Sequence, residues 1–174
     1  ILAAALALTP QLALAVGSDD SAPPTPTETT TECAKGEVWD EKTKACIKAE
    51  DSSLNDDQRF GAVRELAYAG RLDEAFAILA TMTEGETPRV LTYQGFLLRQ
   101  TGRVEEGIAA YERAIALDTT NILARSYYGQ LLVQMNETEL ATLQLAAIRR
   151  HGGGGTWAER ALADAITTGV TTTY

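Results

Sequence analysis

The chain repeats itself, and no other feature narrows its fold as strongly. Shifted by 34 residues, Gly95 falls on Gly129, Leu98 on Leu132, Gly107 on Ala141 and Tyr111 on Leu145. Shifted by 32, Leu66 falls on Leu98, Gly70 on Gly102, Leu72 on Val104 and Ala75 on Gly107. Three units follow, at roughly 56–87, 88–121 and 122–150. A unit that short cannot bury its apolar face alone, so the copies must stack on one another.

Each unit reads as two helices. In the middle unit Thr87 is placed to cap a helix and Pro88 stands at its first position, where a missing N–H costs nothing. That helix carries Leu91, Gly95 and Leu98 and stops at Gly102, suited to a left-handed C-terminal residue. Val104, Gly107, Ile108, Tyr111 and Ile115 then give the three-and-four spacing of a second amphipathic helix. The first unit breaks at Gly70 before Leu72, Ala75, Ile78 and Leu79; the third breaks at Asn136, the next-best residue for that conformation. A low aromatic content of 6%, with abundant Ala and Leu, suits close-packed helices better than a sheet.

These units resemble tetratricopeptide repeats, whose pattern is large-x2-Leu-Gly-x2-Tyr in the first helix and Ala-x3-Phe in the second. The middle unit offers Leu91-x2-Gln94-Gly95-x2-Leu98 and Gly107-x3-Tyr111; the third offers Tyr128-Gly129-x2-Leu132 and Ala141-x3-Leu145. The first keeps Leu66, Gly70, Ala75 and Leu79, with Val63 where a small residue is usual. A Gly-Arg-(Leu/Val)-(Asp/Glu)-Glu-(Ala/Gly) turn occurs at Gly70 and again at Gly102. The third unit departs from the pattern at Arg125 and lacks the final Pro. The resemblance implies an all-α fold, a short right-handed α-solenoid of about three helical hairpins over residues 54–150. Gly95, Gly107, Gly129, Ala75 and Ala141 would let paired helices approach closely.

A solenoid must close its open end. After a flexible glycine linker at 151–155, Thr156 and Glu159 form a capping-box signature, and Trp157, Ala161, Leu162, Ala165 and Ile166 make an apolar stripe. Residues 156–168 are therefore expected as a capping helix, with a fraying tail at 169–174.

Three segments precede the repeats. Residues 1–15 are apolar and uncharged and end in Ala13-Leu14-Ala15, the small-x-small form that signal peptidase cuts, although the basic n-region is missing. Residues 16–32 are Ser, Asp, Pro, Thr and Glu with almost nothing to bury, the composition of a disordered linker. Residues 33–50 hold both cysteines of the chain, Cys33 and Cys46, around a polar turn, as a small disulfide hairpin would. Such a loop gains about 3 kcal/mol from closure, enough to stand without a core of its own. The expected location is exported and periplasmic, with no stable membrane anchor after cleavage.

The formal charge of -9 disfavours nucleic acid and anionic membranes. Every lysine lies between Lys35 and Lys48 and every arginine from Arg59 onward, so the acidity belongs to the leader and the helical part is close to neutral. No phosphate loop or cofactor motif is present, and two cysteines with one distant histidine make no zinc set. His151 and its glycines lack the strand and the Gly-x-Ser-x-Gly elbow that an esterase needs. Asn136-Glu137-Thr138 matches a glycosylation sequon, but its place in the turn accounts for it. The chain reads as no enzyme.

In the family it resembles, first helices line a concave groove that takes a polypeptide. The expectation is an envelope adaptor or assembly factor. Alternatives are a self-associating solenoid, or glycan contact by Trp39 on the cysteine hairpin. Helical phase puts Phe60, Arg64, Arg89, Thr92, Phe96, Arg99, Ser126, Gln130 and Gln134 into the groove, where three arginines around aromatics would suit a carboxylate-bearing or acidic partner. The same arginines could instead pair with neighbours such as Glu65, or with the chain's own leader folded back.

Overall fold

The structure, a computed structural model, describes residues 22–171. The cleavage motif, the start of the linker and residues 172–174 lie outside them. The described chain is mostly helical, with one small two-stranded hairpin and one disulfide. A short α1 (Glu28–Thr31) precedes β1 (Glu37–Asp40) and β2 (Ala45–Lys48). Then come α2 (Asp56–Tyr68), α3 (Leu72–Leu79), α4 (Pro88–Gln100), α5 (Val104–Leu117), α6 (Ile122–Gln134), α7 (Thr138–Arg150) and α8 (Trp157–Thr168).

The helices pack as three consecutive pairs, α2 with α3, α4 with α5 and α6 with α7. One turn closes all three. Gly70, Gly102 and Asn136 take φ of 73°, 79° and 64°. The next residue's N–H then donates back to Leu66, Leu98 and Leu132 carbonyls at 2.9, 2.9 and 2.8 Å, which satisfies carbonyls the helix leaves open. The second helices start without a side-chain cap. Acidic residues in their first turns, Glu74 and Glu106 among them, answer the positive end of each dipole. Arg71 and Arg103 grip those two at 2.7 and 2.6 Å.

Small residues set the approach within the middle pair. A Cβ at Gly95 would sit 2.7 Å from the Tyr111 ring, and one at Gly107 would sit 3.2 Å from the Gly95 carbonyl. Gly129 serves a different neighbour from the one its sequence position suggests: a Cβ there would meet Leu162 of α8 at 2.6 Å.

The glycines ahead of α8 are no loose linker. Gly152 takes φ 82° and the Gly153 N–H donates to the Ile148 carbonyl at 2.9 Å, the same closure once more. A side chain on Gly153 would collide with Ile148. Thr156 caps α8 by accepting from the Glu159 N–H, and Ala158, Ala161, Leu162 and Ala165 are buried against α6 and α7.

The cysteine hairpin does not stand apart either. Its strands pair antiparallel, with Val38 opposite Ile47 and Trp39 opposite Cys46, and Cys33 bonds Cys46 across a Cα separation of 5.5 Å. Yet Val38 is buried in one cluster with Leu54, Phe60 and Ala62. The Arg59 guanidinium donates from Nε to the Ala49 carbonyl at 2.7 Å and from Nη2 to the Asp51 carbonyl at 2.8 Å, stitching the hairpin's exit to α2.

Candidate functional site

The groove candidates gather on the face that α2, α4 and α6 share, but most are covered. Phe60, Thr92, Phe96, Arg99, Ser126 and Gln130 are buried, Arg64 and Arg89 are half-buried, and Gln134 is exposed. Aromatic rings fill the space between the helices. Phe60 meets Tyr93 edge-on at 5.2 Å, Tyr93 meets Tyr127 edge-on at 6.1 Å, and Phe96 lies 5.0 Å from Tyr127. From the far end Trp157 of α8 comes within 6.5 Å of Tyr68 and 6.3 Å of Tyr127. The Tyr68 and Tyr127 hydroxyls hydrogen-bond each other at 3.0 Å. Offset and edge contacts of this kind are the favourable ones, and they join the first helices into one body.

The polar candidates are engaged by the protein itself. Ser126 Oγ donates to the Ala158 carbonyl at 2.7 Å, which seats α8. Thr92 Oγ1 donates to the Pro88 carbonyl and accepts from Asn121 at 3.1 Å. Gln130 donates to Ser126 Oγ at 3.4 Å. Arg89 is clasped by both oxygens of Glu84 at 2.7 Å, reaches Asp57 at 2.6 Å and lies over the Phe60 ring at 4.9 Å. The Glu84 bonds raise its already high pKa further. Arg99 bonds Gln134 and the Tyr127 carbonyl.

The leader crosses one end of this face. Residues 22–31, expected as a disordered spacer, are seated on α2 because their polar groups find partners there. Arg64 Nη2 donates to the Ala22 carbonyl at 2.7 Å, and Arg64 Nε to Tyr93 Oη at 3.3 Å. Glu65 accepts from the Thr27 N–H at 2.8 Å and from the Thr27 hydroxyl at 2.9 and 3.0 Å. Arg71 donates to the Thr30 carbonyl at 3.0 Å, and Thr29 Oγ1 accepts from the Trp39 N–H at 3.1 Å. Burial pushes the Glu65 carboxyl above its usual range, more than the Thr27 donors lower it. A cavity of about 220 Å³ remains between Pro24, Pro26, Thr30 and the Glu65–Tyr68–Ala69 stretch of α2.

Sequence reasoning missed Tyr93 and Tyr127, which anchor the aromatic layer. The signal was available: the 34-residue shift superposes them. Thr27 and Glu65 carry no comparable signal: a leader folded back onto the arginines is one of the sequence's alternatives, and Arg64 does take the Ala22 carbonyl, but nothing in the order of residues pairs Thr27 with Glu65. Trp39 lines a second cavity of about 360 Å³ between the hairpin and α2, with its indole N–H held by Glu41 at 3.2 Å.

Among the described residues no three His, Cys, Asp or Glu side chains converge as a metal site would require, and no helix is long and apolar enough to cross a membrane. The disulfide fits an oxidising, exported environment. No family model, curated protein or solved structure matches the chain.

Proposed function

We propose that this is a tetratricopeptide-type interaction module of the cell envelope: a short right-handed α-solenoid that takes an extended polypeptide along α2, at the mouth of its concave face. It acts as an adaptor or assembly factor and carries out no catalysis itself. The observation that carries this reading is the chain's own leader. An extended Pro- and Thr-rich segment already lies on α2, its Ala22 carbonyl taken by Arg64 and its Thr27 N–H and hydroxyl taken by Glu65. Backbone recognition by a guanidinium and a carboxylate is tolerant of sequence, and the cavity beside Pro24 and Pro26 leaves room for larger side chains. The aromatic layer deeper in the face is filled, so a partner competes with the leader and leaves the rings in place.

A fluorescent peptide of residues 18–31, offered in trans, tests the reading. It should bind the intact chain weakly and bind a chain lacking residues 16–31 at least about tenfold more tightly, because a tethered competitor of millimolar effective concentration is removed. Binding to neither chain, with helical content intact, sinks the proposal. Concentration-dependent association of the intact chain without peptide binding favours the self-associating alternative.

A further inference from the structure

The guanidinium of Arg99 is handled differently from its counterparts. In Arg71, Arg89 and Arg103 the Nε and Nη2 groups form a fork that grips both oxygens of one carboxylate, at 2.9 and 2.7 Å on Glu74, 2.7 and 2.7 Å on Glu84, and 2.7 and 2.6 Å on Glu106. This is the geometry in which arginine binds anions most strongly. The same edge of Arg99 meets a single neutral oxygen: Nε donates to Gln134 Oε1 at 3.0 Å, and Nη2 is buried with no acceptor. Nη1 reaches the Tyr127 carbonyl at 3.3 Å. Arg99 is only 5% exposed, and no carboxylate pairs with it among the described residues. Its place in the last turn of α4 lets the helix dipole offset about half a charge, and the rest stands buried and unanswered.

The cover over this point is slight. Gln134 Nε2 donates to Thr171 Oγ1 at 2.7 Å. Residues 169–171 leave α8 through Gly169 at φ 72°, and Val170, the apolar side chain among them, is 72% exposed.

We propose that Arg99 and Gln134 form a binding site for one two-oxygen anion, a carboxylate, which displaces the Gln134 carbonyl from the Nε–Nη2 fork and Thr171 from the Gln134 amide. The carboxylate then accepts from Arg99 Nε and Nη2, and the freed Gln134 N–H groups are positioned to donate to it. Two sources share this chemistry: a free carboxylate, and a carboxylate borne by a bound polypeptide. Only the second rests on the function proposed above.

The Nε–Hε resonance of Arg99 in the full labelled chain reports the site without any mutation. Acetate, titrated against chloride at constant ionic strength, should shift that resonance saturably in the millimolar range and raise the melting temperature. In a folded Arg99→Lys chain, which keeps the charge but loses the fork, the rise should need at least about tenfold more acetate. An acetylated dipeptide with a free carboxylate, compared with its amide, separates the sources. Tighter binding than acetate assigns a polypeptide, and equal binding assigns a free anion. A non-saturating response equal to that of chloride, an unchanged response in folded Arg99→Lys, or equal binding of the amide overturns the site. Acetate saturation with no binding of the leader peptide would leave this site standing and remove the peptide reading alone.

Discussion

The face shared by the first helices is covered from two directions, and the two covers are held by different forces. At one end the leader, residues 22–31, contributes a single buried side chain, Thr29, and holds on through hydrogen bonds to Arg64, Glu65 and Arg71. At the other, α8 buries Ala158, Ala161, Leu162 and Ala165, and Gly129 exists as glycine to admit Leu162. Hydrogen bonds between protein groups gain little over those with water, whereas buried apolar area has no substitute outside the fold. The leader is therefore the exchangeable cover and α8 belongs to the core.

The sharpest way to break that comparison is at Leu162. It is fully buried against Gly129, in one cluster with Leu132, Leu145 and Ile148. Leu162→Ala should cost about 2–5 kcal/mol in chemical denaturation, the range for a buried leucine. A loss under about 1 kcal/mol would mean that α8 peels off as easily as the leader does.

Next in size is the disulfide. Closing a loop of this length is worth about 3 kcal/mol in the chain-entropy model. The sequence suggests that this stays within the hairpin, since the loop is local. Val38 packs beside Phe60 and Ala62, and Arg59 holds the Ala49 and Asp51 carbonyls, so the hairpin is mechanically part of α2. Replacing Cys33 and Cys46 by Ser should lower the melting temperature of the helices as well as loosen the hairpin. Unchanged helical melting would restore the hairpin's independence.

Turns were readable because their constraint is local. Gly70, Gly102 and Asn136 sit where a left-handed residue is needed, and each takes that conformation. The paired glycines Gly95 and Gly107 were readable for the same reason. Helical phase also placed Phe60, Phe96 and Arg99 on a common face, but phase gives direction and says nothing of what lies opposite. The return of Thr27 to Glu65 spans 38 residues, and Trp157 meets Tyr68 across most of the helical chain. Such contacts depend on how the pairs stack, which no local pattern encodes. The 151–155 glycines misled because composition alone reads as flexible, whereas Gly152 and Gly153 close the end of α7.

A smaller effect is expected at Thr27. Its hydroxyl donates to Glu65 and accepts from the Thr29 N–H, capping α1. Thr27→Val should cost about 1 kcal/mol, the usual size for a lost side-chain hydrogen bond or cap. Amide exchange at Thr29 and Thr30 should quicken while that of α8 stays as it was. Equal quickening in α8 would show that the two covers are coupled.

The smallest effect is the pH response of Glu65, and it isolates the leader's contribution. Burial raises this carboxyl above its ordinary 4.5, so the folded protein holds the proton more readily than the unfolded chain does. Stability from Glu65 is then greatest below 4.5 and declines as pH rises through the folded value. Asp56 runs the other way. Burial raises it, but the Glu84 and Thr83 donors win and hold it below 3.8, so its contribution is present at neutral pH and lost only as pH falls through that lowered value. The two windows separate cleanly. Glu65→Gln removes the buried charge and keeps an oxygen for the Thr27 N–H. Relative to the parent, its urea midpoint should be unchanged at about pH 4 and higher at about pH 7. Parallel curves at both pH values would mean that Glu65 is not desolvated. The decisive control repeats the comparison in a chain lacking residues 16–27. If the leader buries this carboxyl, the gain from Glu65→Gln disappears with it; if the gain persists, the burial comes from the helices, and the leader lies on α2 without closing over it.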